Sequence, residues 1–247
     1  MTGESYEPVA GTHRAVDVPS PFPLDVWWLR SSDTSADELA RAGEWLSAEE
    51  HQRYRRYLTA EKQREYLLTR CLVRMVLSRY ADVAPHAWSF AVDRFGKPHV
   101  AAPITSSDLR FSVSHSGGMI VCAVARGIDV GVDVEDIERP LEYRQAARLV
   151  FTPAELEQFE SLPEPMARRR CFQIWTSKEA YSKAYGRGFG IPFDQFTVDL
   201  AAAPAVAIRF TSLWRIVTQC HFYDPKHGFY LSYAQARGLR QTNSAQS

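Results

Sequence analysis

A chain of 247 residues, 45% of them hydrophobic and 12% aromatic, can bury a substantial core, as one large domain or as two halves that share an interface. Its 29 Lys and Arg balance 29 Asp and Glu, so no global field draws it to nucleic acid or a membrane surface, and any anionic ligand has to be held by local geometry. The four cysteines, Cys71, Cys122, Cys171 and Cys220, are far apart and form no CxxC, which argues against a zinc site and fits small core residues of a reduced, cytoplasmic protein.

Residues 1–24 are rich in Pro, Gly and Ser without periodicity and are expected to form an irregular arm, with neither the charged start nor the apolar run of a signal peptide. Val26 to Arg30, VWWLR, is an apolar run of strand length. Ser47 followed by Glu50 in LSAEEHQRY is a capping box that opens a helix, and a longer helix is expected from about Ala60 to Tyr80. The segment Trp88 to Val100 reads as two strands around a Gly96-Lys97-Pro98 turn, and LRFSVSH and MIVCAVA as a hairpin closed by Ser116-Gly117-Gly118.

IDVGVDVE then alternates strictly, with Val130, Val132 and Val134 on one strand face and Asp129, Gly131, Asp133 and Glu135 on the other. Two carboxylates two residues apart beside a glycine can offer oxygens to one hard cation, although a solvated strand face would show the same pattern. FTPAELEQF has a second capping box, Thr152 with Glu155, and Pro153 at the first helical position. The helix that follows, from about Glu164 to Tyr185, ends at Gly186-Arg187-Gly188, a glycine C-cap, and it stacks Trp175, Glu179 and Lys183 on one face. Strands are expected around Phe196 to Leu200, Leu213 to Tyr223 and Gly228 to Ala234, the last two joined by DPKH, before a polar tail over 238–247.

The two capping-box segments stand 105 residues apart, and the same offset sets Arg70 and Arg74 opposite Trp175 and Glu179. After each long helix come a proline, Pro85 or Pro192, a strand and a hairpin. The expected fold is therefore α+β, built as two pseudo-repeated halves, residues 25–127 and 128–237. Each half sets a long helix on a small antiparallel sheet, and the active site lies in the cleft between them. An all-oxygen set of Asp133, Glu135 and Glu179 suits Mg²⁺, with Mn²⁺ as an alternative, and Mg²⁺ is usually shared with substrate phosphates. Ser114, His115, Lys97 and Lys183 would then surround a diphosphate, although each has an ordinary structural reading when taken singly. No P-loop, Rossmann glycine signature or Gly-x-Ser-x-Gly elbow points to another enzyme class.

VGVDVE (Val130 to Glu135), FSVSHS (Phe111 to Ser116), FGKP (Phe95 to Pro98) and FQIWTSKEAYSK (Phe172 to Lys183) stand in the order expected of 4'-phosphopantetheinyl transferases. Over about residues 26–235 the chain resembles the larger, surfactin-synthetase-activating (Sfp-like) type, a monomer of two pseudo-repeated halves. The resemblance implies holo-[acyl-carrier-protein] synthase activity: transfer of the phosphopantetheine arm of coenzyme A to a serine of an acyl, peptidyl or aryl carrier protein. Adenosine 3',5'-bisphosphate would be released. It further implies Asp133, Glu135 and Glu179 as magnesium ligands, Glu179 as base for the carrier serine, and Lys183 on the leaving phosphate. Ser114 and His115 would meet the coenzyme A phosphates, Lys97 the nucleotide pocket and Arg53 the 3'-phosphate, with Arg64, Arg70 and Arg94 as looser candidates. Trp175 would anchor the helix in the core. Arg144, Arg148 or Arg168 to Arg170 are the candidates to meet acidic carriers, of a polyketide, nonribosomal peptide, fatty acid or lysine pathway, although solvated helix faces would show the same residues. A magnesium-dependent enzyme on another nucleotide diphosphate, or an interaction module of the same fold, would retain parts of the same pattern.

Overall fold

The computed structural model describes residues 12–14, 24–103, 108–186, 191–200, 207–210, 214–215, 220–224 and 229–236. Strands β1 (His13–Arg14) and β2 (Leu24–Arg30) lead into helices α1 (Ala36–Gly43), α2 (Ala48–Arg55) and α3 (Ala60–Leu77). After a 3-10 turn at Pro85–Ala87 come β3 (Ser89–Val92), β4 (Pro98–Ala102), β5 (Leu109–Ser116) and β6 (Met119–Arg126). The second run is β7 (Asp129–Asp136), α4 (Tyr143–Val150), α5 (Pro153–Glu160) and α6 (Met166–Tyr185), then a 3-10 turn at Phe193–Gln195. It closes with β8 (Phe196–Asp199), β9 (Ala207–Phe210), β10 (Trp214–Arg215), β11 (Cys220–Asp224) and β12 (Phe229–Ala236).

Both expected capping boxes form: Ser47 accepts from the Glu50 amide while Glu50 reaches back to Ser47, and Thr152 and Glu155 do the same. Ser35 and Glu38 build a third at α1, where the sequence reading marks no element. Gly117 and Gly118 both hold positive φ, 54° and 81°, the backbone that a two-residue hairpin between β5 and β6 requires. Gly186 ends α6 in the left-handed region, while the rest of that expected cap, and the Pro225–His227 turn, lie outside the described residues.

One sheet runs β1-β2-β6-β5 and another β11-β12-β7, so with the two-residue β1 set aside the order first strand, last strand, penultimate strand occurs once in each run. Two smaller sheets, β3-β4 and β10-β9-β8, occupy the corresponding places after the long helices. The fold is α+β with antiparallel sheets. Strand β6 is buried on both faces. Ile120, Cys122 and Val124 pack with Leu68, Leu72 and Met75 of α3. Met119, Val121, Ala123 and Ala125 join Val130, Val132 and Val134 of β7 and Phe229, Leu231 and Tyr233 of β12. Each fully buried Val or Leu contributes about 1.5–3 kcal/mol of transfer free energy, so this shared layer holds the two sheets against each other. Cys71, Cys122 and Cys171 are buried thiols, as expected of core residues. Among the described residues no helix is long and apolar enough to cross a membrane.

Candidate active site

The edges of the two large sheets meet where β5 runs beside β7. An edge strand presents amides that need partners, and here the serines of β5, spaced by two so that they share a face, supply them. Ser112 Oγ accepts from the Val132 amide and Ser116 Oγ from the Asp136 amide, each at 3.1 Å. Ser114, between them, donates to Asp133 Oδ1 at 2.8 Å, and Ser116 donates to Glu135 Oε2 at 2.9 Å.

Helix α6 lies on β7 and β12, and Gly131 lets it come close. A Cβ at Gly131 would stand 2.0 Å from the Ala180 carbonyl oxygen and 2.4 Å from the Ala184 amide nitrogen. Residues alternate along a strand, so Asp133 and Glu135 share the α6-facing side with Gly131, while α6 brings Glu179 and Lys183 to them. Burial pushes the Glu179 carboxyl up to about 7, with Asp133 and then Glu135 adding to the rise and Lys183 opposing it. Glu135 is raised chiefly by burial and then by Asp133, against Arg139, Ser116 and Lys183. Asp133 is 5% exposed; its Oδ1 takes Ser114 and Lys183, the latter at 2.7 Å, and its buried Oδ2 has no hydrogen-bond partner.

Among the described residues no three His, Cys, Asp or Glu side chains already stand as a closed metal-binding set. The three carboxylates share one electrostatic neighbourhood, but Glu135 is held on both oxygens, by Ser116 and by Arg139 at 3.3 Å, and Lys183 occupies one side of Asp133. Fit for a hard cation rests on the unpartnered Asp133 Oδ2 and on a donor set made of oxygens.

Ser114 and Lys183 also line a cleft of about 550 Å³ between α2, α3, β5 and α6. Arg53, Lys62, Arg70 and His115 contribute cationic or imidazole groups to its walls, with Tyr57, Tyr66 and Thr69 between them. Arg53 lies over the Tyr66 ring at 6.0 Å, and Arg70 lies over the same ring at 5.4 Å. His115 Nδ1 is 3.3 Å from Glu65 Oε1, which also takes Lys62 at 2.8 Å. Burial pushes the His115 imidazole below its ordinary value, Glu65 opposes this, and Lys62 and Lys183 add to it. A second cavity of about 210 Å³, sharing Pro98, Val113 and Lys183 with the first, is floored by Phe95, Gly96, Lys97 and Phe111.

Each expected site residue has a place. Asp133, Glu135, Glu179, Lys183 and Ser114 come together, and His115 and Arg53 face the adjoining cleft. Lys97 lines the second cavity, but its ammonium donates to the Ala184 carbonyl at 3.0 Å, so it also caps the end of α6, where burial pushes its pKa down against Asp129. Three expectations, those for Arg64, Arg94 and Trp175, are corrected. Arg64 is taken up by Ser31 and by the Thr34 carbonyl, and Arg94 lies over the Phe95 ring at 4.7 Å, outside both cavity walls. Trp175 is only half-buried; Cys171, Phe172, Ile174, Ala180 and Tyr181 anchor α6. Lys183 faces Asp133 as well as the cleft, because a buried carboxylate without a counter-charge would be costly.

The sequence reading passed over Lys62, Glu65, Tyr66 and Thr69. Their spacing on α3 follows the helical repeat, opposite Leu67, Leu68, Cys71 and Leu72, and that polar stripe was there to be read. It also passed over Lys178, which is 0% exposed and donates to Glu155 Oε2 and to the carbonyls of Val150, Phe193 and Phe196.

Residues 129–234 match the 4'-phosphopantetheinyl transferase superfamily, and residues 31–126 match the N-terminal region of 4'-phosphopantetheinyl transferases. A 4'-phosphopantetheinyl transferase of Bacillus subtilis is 31% identical over 175 residues, covering 71% of this chain and 75% of that one. The chain belongs to the 4'-phosphopantetheinyl transferase superfamily. Other members similar to it are HetI of Nostoc sp., 28% identical over 190 residues, 77% of this chain and 80% of that one, and Sfp of Bacillus subtilis. Sfp is 28% identical over 175 residues, covering 71% of this chain and 75% of that one. In this member of the superfamily, both matched regions contribute to one site: the first supplies most of the basic cleft and the second the carboxylates and Lys183.

Proposed function

We propose that this phosphopantetheinyl transferase moves the 4'-phosphopantetheine arm of coenzyme A onto a serine hydroxyl of an apo carrier protein and releases adenosine 3',5'-bisphosphate. The observation that supports it most directly is the junction at Ser114 and Lys183. There a basic cleft of about 550 Å³ opens onto a carboxylate cluster with one buried, unpartnered oxygen, Asp133 Oδ2.

The cleft is the place for the nucleotide and diphosphate. Arg53, Lys62, Arg70 and His115 offer donors to phosphate oxygens, with Arg53 on the 3'-phosphate, and Lys97 stands at the neighbouring apolar cavity. Asp133, Glu135 and Glu179 would hold Mg²⁺, or Mn²⁺ in its place, and the ion when bound neutralises diphosphate oxygens and the charge that builds on them. Glu179, beside Asp133 and Lys183, accepts the proton of the carrier serine. The serine oxygen forms a bond to the phosphorus that carries the pantetheine arm, and the bond from that phosphorus to the bridging oxygen breaks. Lys183 gives its proton to the oxygen that leaves with the bisphosphate.

Carriers are commonly acidic around the modified serine, and Arg144 and Arg148 stand on α4, the helix that carries Leu149, which is 81% exposed. Both arginines pair with acids, Arg144 with Glu164 and Arg148 with Glu160, and an acidic partner can exchange for these exposed contacts. Arg168 is less suited, because it donates to the Ile137 and Arg139 carbonyls. The chain acts as a monomer in this reading, since one copy supplies both cleft and carboxylates.

Intact mass of serine-bearing apo carriers after incubation with the protein, coenzyme A and Mg²⁺ tests the proposal. A phosphopantetheine adduct is expected on at least one of an acyl, a peptidyl and an aryl carrier. No adduct on any of the three refutes it.

A further inference from the structure

Helix α6 is fixed on its inner side by Gly131 against Ala180 and Ala184, and by Thr176 bonding to Ser232 of β12 at 2.7 Å. On the side that faces α4, α5 and β8, where Ala167, Cys171 and Ile174 pack with Ala147, Phe151, Phe159 and Val198, it also carries a fully buried charged side chain. Lys178 points away from the sheet into a pocket of four oxygens: Glu155 Oε2 at 2.6 Å, and the carbonyls of Phe193 at 2.5 Å, Phe196 at 2.9 Å and Val150 at 3.0 Å. These acceptors belong to the N-terminus of α5, the 3-10 turn and strand that follow α6, and the last residue of α4. Glu155 is itself 3% exposed and fully used, because it also takes the Thr152 and Val198 amides at 2.8 and 2.7 Å. An ammonium buried this deeply stays charged only with such partners, so its position is dictated by them.

The first half contains the same device. Arg74 of α3, 1% exposed, donates to Glu50 Oε2 and to the Pro85 and Trp88 carbonyls, and Glu50 is the capping-box glutamate of α2 as Glu155 is of α5. The residue after Arg74 is Met75, a core side chain, whereas the residue after Lys178 is Glu179. In the second half alone, the clamp sits one residue from a carboxylate that must meet two others on β7.

We propose that Lys178, together with Glu155, is a positioning residue that sets the roll of α6 and so the approach of Glu179 to Asp133 and Glu135. Lys178 touches neither substrate nor reacting atoms. It acts through the helix, and the inference rests on the role given to Glu179 above. The Arg74–Glu50 clamp, by the same logic, positions α2 and α3, which carry Arg53, Lys62 and Arg70 of the cleft.

The test uses two double variants of the full chain, Lys178→Met with Glu155→Gln and Arg74→Met with Glu50→Gln, each of which removes both charges so that neither is left buried and unpaired. Steady-state transfer and Mn²⁺ affinity of the protein alone are measured for both. The Lys178/Glu155 variant is expected to lose about 10- to 100-fold in kcat, with KM for coenzyme A within about twofold of wild type and weaker Mn²⁺ binding, as misplacement of a reacting group predicts. The Arg74/Glu50 variant is expected to show the opposite split, a raised KM for coenzyme A with kcat little changed. Equal kcat losses in the two variants, or a Lys178/Glu155 variant with wild-type kcat and Mn²⁺ affinity, overturn the proposal. If the double variant does not fold, Glu155→Gln alone, which keeps one of the two acceptor oxygens, is measured, and an unchanged kcat and Mn²⁺ affinity again overturn it. Wild-type protein that leaves carriers unmodified sinks the transferase reading instead, whereas the Mn²⁺ comparison still reads the clamp.

Discussion

The two halves share a strand order, a pair of capping boxes and a buried cation clamp, yet they carry opposite chemistry. The first presents Arg53, Lys62, Arg70 and His115 to a cleft, and the second gathers Asp133, Glu135 and Glu179 beside the corner of that cleft where Ser114 meets Lys183. In α3 the residue after the clamp cation is consumed by the core; in α6 it is Glu179, whose carboxyl burial pushes up to about 7. The comparison teaches that fold-holding groups recur at matching places, while the charged groups of the cleft and of the carboxylate cluster do not.

The largest expected effect comes from the carboxylate side. Glu179→Gln removes the proposed base and the proposed metal ligand together, and transfer is expected to fall by roughly 10²–10⁴-fold in kcat with the fold intact. Near-normal turnover would end the assignment of Glu179 as base. Gly131→Ala is expected to come next. Its Cβ would meet backbone atoms of α6 at 2.0 and 2.4 Å, which cannot move without the helix. Overpacking of this kind costs about 1–3 kcal/mol, and the helix displacement should lower kcat as well. A melting temperature and kcat equal to wild type would show that β7 and α6 are not locked together here.

On the cleft side the effect is smaller and of another kind. Arg53 is exposed and contacts the Tyr66 ring, so Arg53→Ala should raise KM for coenzyme A several-fold with little change in kcat, the mark of binding energy used equally in ground and transition states. A loss confined to kcat would move Arg53 from the binding half of the comparison to the catalytic half.

What could be read from the sequence divides along similar lines. Capping boxes, the Gly117-Gly118 hairpin and the alternation of IDVGVDVE are local patterns, complete within a few residues, and so Asp133 and Glu135 could be placed on one face before any fold was known. Lys178 could not be placed. Its acceptors lie at residues 150, 155, 193 and 196, and a lysine in a helix otherwise rich in charge reads as solvated. The offset of 105 residues set Arg74 against Glu179, whereas by its partners Arg74 matches Lys178; one residue of drift exchanged a structural cation for a chemical carboxylate. Ser112, Ser114 and Ser116 show a period of two in the sequence, but only the meeting of two sheet edges gives that period a purpose. Arg64 failed for the converse reason: an arginine on a helix that faces the cleft is also free to cap the Ser31–Asp33 turn.

The smallest effect tests the carboxylate half through stability. Glu179 is raised from 4.5 to about 7, so the folded state holds its proton more tightly than the unfolded chain does. This contribution is complete below the ordinary value and is lost as pH rises through about 7, and Glu135, raised mainly by burial, adds in the same direction. Melting temperatures taken in chelator should therefore fall between about pH 5 and pH 8 from these groups, and Glu179→Gln should flatten that slope and stabilise the protein at the upper end. Added Mg²⁺ should act in the opposite sense, because a cation favours the ionised carboxylates; the gain in melting temperature on adding it should grow over the same range. A variant with an unchanged slope, or a gain independent of pH, would mean that Glu179 titrates outside this window and that its neighbours on β7 do not act on it as the geometry requires.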